Sequence, residues 1–194
     1  MKPTVAALYV EANGVYSTLD DVDLWPVGRD ARRYDGPYPV VAHPPCERWG
    51  MLARANESKY GLKVGDDHGC FEAALTSVWK WGGVLEHPAH SLAWAYFGLR
   101  RPEPGRWLID GPCGWVTQVS QVAYGHAARK RTWLYVESRS MPLPLDWSEP
   151  DASGQVSTCG KGRPKRRQLK HSEALATPRA FALELLTLAR DVVR

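Results

Sequence analysis

Apolar positions fall in short unbroken runs early in the chain and switch to helical spacing further on, so strands precede helices. Val5 to Val10, Val22 to Trp25 and Pro39 to Ala42 are apolar enough for buried strands, with Gly, Asn and Asp between them. From Asp67 the period changes: Cys70, Phe71, Ala74, Leu75, Val78 and Trp79 share one helical face, and Gly82-Gly83 ends the run. Val84-Leu85-Glu86 predicts a further short strand, and Ser91 caps a helix through about Phe97 that Gly98 closes. Beyond a Pro/Gly-rich stretch from Pro102 to Gly114, Thr117 to Tyr124 and Arg131 to Val136 predict a strand pair around Gly125. The last helix has Thr177 as N-cap, Pro178 at its first position, and Phe181, Leu185, Leu188 and Val192 down one face. Strands alternating with helices and ending in a hairpin predict an α/β sheet domain.

Length and composition then limit the class. The chain of 194 residues is the size of one domain, with 44% hydrophobic and 24% charged residues, near globular averages. Residues 137–176, rich in Pro, Ser, Gly and Lys, are expected to form a basic loop insertion in a single domain over 1–194. The nine tryptophans are expected mostly as core or rim anchors, with a minority free to stack on bases. Four cysteines without a C-x-x-C pair, and no leading signal-peptide pattern, predict a reduced, cytoplasmic protein. No run is long enough to span a bilayer, so no membrane partner is expected. The net charge of +4 is unevenly placed: Lys161, Arg163, Lys165, Arg166, Arg167 and Lys170 crowd together, a pattern suited to phosphate.

Candidate chemistry centres on His43-Pro44-Pro45-Cys46, which follows directly on the Pro39–Ala42 run. Two prolines cannot donate ladder hydrogen bonds and hold φ near −65°, so they end the strand and aim the thiol. Glu86-His87-Pro88 repeats that arrangement after the next strand. In open α/β sheets the functional crevice lies beyond the carboxyl ends of the strands, where Glu11, Cys46 and Glu86 are all expected. A thiolate adds to an electron-poor ring carbon, and a carboxyl group on the same ring takes up the displaced charge by hydrogen bonding and protonation. A zinc deaminase is the rival reading, but it needs His-x-Glu before Pro-Cys-x-x-Cys. Here Pro45-Cys46 comes first and Trp49 stands where the second cysteine belongs, so no metal is assigned.

These residues carry a resemblance. Pro44-Pro45-Cys46, then Glu86-His87-Pro88, then Tyr124-Gly125-His126-Ala127-Ala128-Arg129-Lys130-Arg131 resemble the Pro-Pro-Cys, Glu-Asn-Val and Tyr-Gly-x-Pro-Gln-x-Arg-x-Arg series of the DNA cytosine-5 methyltransferases. The likeness is closer to a small, phage-type branch, through segments such as VVAHPPC, GGVLEHPAHS and YGHAARKRTWLY, and Ala176-Thr177-Pro178 is similar to the entry of the family's last helix. It implies a Rossmann-like methyltransferase sheet with flanking helices, S-adenosylmethionine as cofactor and DNA as partner. It also implies that the Cys46 thiolate attacks carbon 6 of a flipped-out cytosine while Glu86 engages ring nitrogen 3 and the exocyclic amine. Arg129 and Arg131 are implied to steady the base, its phosphates or Glu86.

The departures are specific. The loop after the first strand, Leu8-Tyr9-Val10-Glu11-Ala12-Asn13-Gly14, has one glycine in register, and Ala128 replaces the glutamine of the arginine motif. In a strict register Lys130 and Thr132 occupy the arginine sites. Implied cofactor contacts are Tyr9, Glu11, Gly14, Pro44 and an acidic residue after the second strand, Asp30 or Asp23. A full target-recognition domain is absent, which leaves Arg48, Lys165, Arg166 and Arg167 as the nucleic-acid contacts. Two alternatives stay open: a non-catalytic module that binds or shields DNA, and an enzyme acting on pyrimidine nucleotides or RNA. Neutralising Arg166 and Arg167 together is expected to weaken DNA binding and flatten its salt dependence, as measured by titration over a salt series.

Overall fold

Uninterrupted apolar runs suit strands covered on both faces, and the computed structural model, which describes residues 4–50, 53–155 and 167–192, builds its sheet from them. The order is β1 (Val5–Leu8), β2 (Val22–Trp25), β3 (Val40–Ala42), α1 (Ala53–Tyr60), α2 (Cys70–Trp81), β4 (Gly83–Pro88) and α3 (Leu92–Tyr96). The second half adds β5 (Leu108–Asp110), β6 (Gly114–Ser120), β7 (Arg131–Glu137), β8 (Gly154–Gln155), β9 (Arg167–Gln168), α4 (His171–Leu175) and α5 (Arg179–Arg190). Seven strands form one mixed sheet in the order β2-β1-β3-β4-β7-β6-β5, while β8 and β9 pair separately. Strands β2, β1, β3 and β4 run parallel, and β4, β7, β6 and β5 succeed one another antiparallel.

Alternation along each strand divides the core into two layers. Ala6, Leu8, Val40, Ala42 and Leu85 meet Phe71, Ala74, Leu75 and Val78 of α2. Val5, Ala7, Val41 and Val84 meet Phe181, Leu185, Leu186 and Ala189 of α5 on the other face. The chain is a single α/β domain with helices on both sides of its sheet. Because β1 sits between β2 and β3, the chain leaves it first to one side and later to the other, and the carboxyl ends of β1 and β3 part at that reversal.

Several boundaries differ from the sequence reading. Strand β1 ends at Leu8 rather than Val10, because Tyr9 takes a left-handed φ of 60°. The expected strand to Tyr124 stops at Ser120, and Gln121–Tyr124 winds into a 3-10 turn that Gly125 closes at φ 94°. The final helix starts one residue late: Pro178, at ψ 143°, is itself the N-cap, and Thr177 lies outside. Helix α1 and strand β5 lie in stretches without apolar periodicity, and the 137–176 insertion, expected as loop, contains the β8–β9 pair and α4. Of the tryptophans, Trp49, Trp94, Trp107 and Trp133 are buried and Trp79 is half exposed. Among the described residues no helix is long and apolar enough to cross a membrane.

Gly83 is where α2 hands over to β4, and its backbone has φ 120°. A Cβ there would sit 2.0 Å from the Val40 carbonyl oxygen of the paired strand, which cannot move without breaking the β3–β4 ladder. Gly83→Ala is expected to destabilise the chain by at least about 2 kcal/mol in urea unfolding.

Candidate functional site

Strand β3 ends at Ala42, and the next residues build the thiol's support. His43 donates its backbone N–H to Leu8, Pro44 is buried, and Cys46 is half-buried at the start of a turn whose Trp49 N–H returns to the Cys46 carbonyl at 3.0 Å. Trp49 then fixes the turn from beyond. Its indole N–H donates to Asp67 at 2.8 Å, and Asp67 also accepts the Gly69 and Phe71 N–H groups at the start of α2. The Trp49 carbonyl accepts from Leu92 at the head of α3, so the heads of two helices, α2 and α3, hold the segment after the thiol.

Glu86 comes from the middle of β4 rather than from its expected carboxyl end, because pairing with β7 continues to Pro88; it is in register with Leu134 and is 8% exposed. A carboxylate so deeply placed needs partners. Its Oε2 lies 2.8 Å from His43 Nδ1, and its Oε1 accepts from Gln121 Nε2 at 3.3 Å. His43 Nε2 in turn lies 2.8 Å from the hydroxyl of Tyr16, a residue 3% exposed in the 3-10 turn after β1. Gln121 also donates to Thr132 Oγ1 at 2.9 Å. Residues from the β1 loop, β3 end, β4, β6 end and β7 thus converge on one carboxylate.

The electrostatics follow from burial set against these partners. Burial pushes the Glu86 carboxyl up, but the His43 hydrogen bond and charge, helped by Lys130 and His87, outweigh it and bring the pKa down to about 2. Burial and the Glu86 charge push the Cys46 thiol up, with Lys130 opposing them. At neutral pH the resting site therefore holds a thiol beside a carboxylate. His87 alternates to the other face of β4, packed edge-on to Phe71 at 5.1 Å, with neither ring nitrogen in a hydrogen bond of good geometry. Burial lowers its pKa to about 4 although Glu86 and the Pro45 backbone favour the imidazolium.

Other predicted residues are dispersed. Arg129 and Arg131 sit on the exposed rim facing acids of the insertion: Arg129 meets Asp151 at 3.4 Å, and Arg131 grips Glu149 in two bonds of 2.8 and 3.0 Å. Lys130, between them, is the cation whose charge reaches both Cys46 and Glu86, and its ammonium donates to the Leu175 carbonyl. Arg48 is half-buried in the turn after Cys46. Arg167 grips Glu173, while Lys165 and Arg166 lie outside the described residues.

Of the implied cofactor contacts, Tyr9 carries a buried hydroxyl without a hydrogen-bond partner, Glu11 is exposed, and Gly14 donates its N–H to the Glu11 carbonyl. A Cβ on Gly14 would meet Glu11 Cβ at 3.1 Å. Asp30 is left-handed at φ 32° and holds Arg32 through two bonds, and Asp23 binds Trp25 and Arg29. Among the described residues no group of three or more His, Cys, Asp and Glu side chains gathers as metal ligands would.

Sequence reasoning singled out the thiol and the carboxylate but missed Tyr16 and Gln121, noted Thr132 only as the occupant of an arginine site, and treated His43 only as part of the proline loop. His43 was detectable from its place beside the prolines. Tyr16 carries no such signal, since it reaches the site only because β1 and β3 are neighbours. No protein-family model matches the sequence, and no curated protein matches it.

Both His87 and Glu86 bind fewer protons folded than unfolded, so stability rises with pH across their titrations. The His87 contribution is complete above its ordinary value of 6.5 and is lost as pH falls towards about 4. That of Glu86 is complete above 4.5 and is lost as pH falls through about 2. Urea unfolding over a pH series is expected to show His87→Phe flattening the upper limb and Glu86→Gln the lower, each worth on the order of 3 kcal/mol.

Proposed function

We propose that the chain is a pyrimidine-activating enzyme of DNA cytosine-5 methyltransferase type. The observation that carries this reading is the pairing of Cys46 with Glu86 from two neighbouring parallel strands, the carboxylate being wired to His43 and Tyr16. Sheet topology supports a Rossmann-like origin: four parallel strands reverse their order between β1 and β3, and the thiol follows directly on β3.

In the forward step the sulfur lone pair of Cys46 forms the bond to carbon 6 of the cytosine. The carbon 5–carbon 6 π pair moves into the carbon 4–carbon 5 bond, and the carbon 4–nitrogen 3 π pair moves onto nitrogen 3. The thiol proton passes to the Glu86–His43 pair, and the same pair returns a proton to nitrogen 3, so charge balances without external acid. His43 matters because Glu86 alone, held as an anion, has no proton to give. Tyr16 holds the imidazole at its far nitrogen. The step leaves carbon 5 electron-rich and able to exchange its hydrogen with solvent, and reversal expels the thiol.

The residues at the carboxyl end of β1 fit a methyl donor of the S-adenosylmethionine kind. Tyr9 offers a buried hydroxyl that lacks a partner, and at Gly14 a Cβ would crowd Glu11 where the loop closes on itself. Tyr9, Gly14, Asp30 and Pro44 would hold the group, with Glu11 at the exposed rim; when bound, it supplies an electrophilic methyl for carbon 5. DNA is the partner, with Arg48, Arg129, Lys165, Arg166 and Arg167 as phosphate contacts and Lys130 as the cation whose charge reaches the thiol. In a duplex the base must leave the stack, because neither face of a stacked ring is open to the thiol.

Two outcomes test the chemistry. DNA tritiated at cytosine carbon 5 is expected to release tritium to solvent with the native chain and to release none with Cys46→Ala. His43→Gln is expected to slow release by about 10²- to 10³-fold, with a changed pH profile, if the imidazole shuttles the proton. Equal release from Cys46→Ala sinks the nucleophile assignment. Mass spectrometry of DNA from expressing cells then reads whether a methyl group is installed.

A further inference from the structure

Gln121 is a residue beside Glu86 whose bonding is incomplete. It is 1% exposed at the end of β6, its backbone N–H donating to the Lys130 carbonyl at 3.0 Å. Its amide nitrogen is fully used, on Thr132 Oγ1 at 2.9 Å and Glu86 Oε1 at 3.3 Å. Its amide oxygen is buried and has no hydrogen-bond partner.

The orientation of that amide is dictated by its neighbours. Thr132 Oγ1 donates its single proton to the Lys130 carbonyl at 3.3 Å, so it can only accept from Gln121. Glu86 is an anion and also only accepts. With the amide turned over, its oxygen would face two acceptors at once. The nitrogen therefore faces Glu86, and the orphaned oxygen lies about 2 Å from that nitrogen by covalent geometry, beside the catalytic carboxylate. A buried acceptor without a donor is a cost that the fold leaves standing, and a ligand donor arriving beside Glu86 would remove it.

The geometry points to Gln121 as the residue that reads the base, its Oε1 accepting a hydrogen bond from the exocyclic amine of cytosine. The inference rests on the pyrimidine-activating reading above. Cytosine presents a donor, the amine, beside the ring nitrogen that Glu86 engages. Uracil presents a carbonyl oxygen at that place, and two acceptors would meet in a buried setting. Sites built to receive a specific hydrogen bond discriminate strongly against analogues that lack it, because the protein group is then left unpaired.

Binding separates this role from the chemistry. The probes are purine-only single strands carrying one central cytosine or one central uracil, titrated against Cys46→Ala protein in which residue 121 is native, Gln121→Leu, or native beside Thr132→Val. The Cys46→Ala protein with native Gln121 is expected to favour cytosine by at least about tenfold. Gln121→Leu is expected to reduce that preference to twofold or less, and Thr132→Val, which frees the amide to turn, to lie between. A preference that is unchanged in the folded variants overturns the inference, as does a native preference for uracil. If Gln121→Leu fails to fold, Thr132→Val decides on the same criterion. Tritium release from the native chain is scored separately: its absence overturns the addition chemistry, while a preference lost with Gln121 still assigns base reading to this residue.

Discussion

A carboxylate in the middle of a sheet keeps its charge only if something nearby compensates for the lost water, and at Glu86 that something is His43. The 2.8 Å contact between them draws the end of β3 against the middle of β4. It sets the ionisation of the carboxylate, raises the neighbouring thiol through that charge, and gives Tyr16 an imidazole nitrogen to meet. Removing the imidazole would leave a buried anion with one long bond from Gln121, a state far costlier than the surface ion pairs elsewhere in the chain.

The scaffold serves this contact by fixing both ends. Prolines 44 and 45 remove backbone freedom before the thiol, and Trp49, tied to Asp67 at the head of α2, removes it afterwards. Gly83 lets β4 begin hard against Val40, which sets the register that brings Glu86 level with the residues beyond β3. Rigidity here suits the proposed chemistry, in which a nucleophile and its proton partner act only when held within bonding range of one ring.

The insertion after β7 is part of the same site. Glu149 and Asp151 take up Arg131 and Arg129, and the Leu175 carbonyl receives Lys130, so the insertion orders the basic turn whose Lys130 charge reaches the thiol. Lys130 thereby becomes the cation felt by Cys46 and Glu86, while the two arginines face outward in exchangeable surface pairs. Phosphate can compete for those arginines, because exposed ion pairs hold their partners weakly.

Local signals in the sequence were enough for the α/β class, the first four strands, helix α2 and the proline-aimed thiol, because each depends on residues adjacent along the chain or one helical turn apart. The same holds for Glu86, marked by its place between an apolar run and Pro88. Boundaries at Tyr9, Ser120 and Pro178 were missed, since a left-handed residue, a 3-10 turn and a proline cap are decided by what packs against them. Tyr16, Gln121 and Thr132 lie 70, 35 and 46 residues from Glu86, so no spacing rule links them to it. Sequence alone determined that a rigid thiol would follow β3 and that a carboxyl group would stand beside Pro88, but it ended β4 two residues too early, and the carboxylate lies in mid-strand. Only the tertiary structure, by ordering β1, β3, β4 and β7 side by side and bringing the end of β6 against them, decided which groups would satisfy the carboxylate, because a buried charge selects its partners by distance in space.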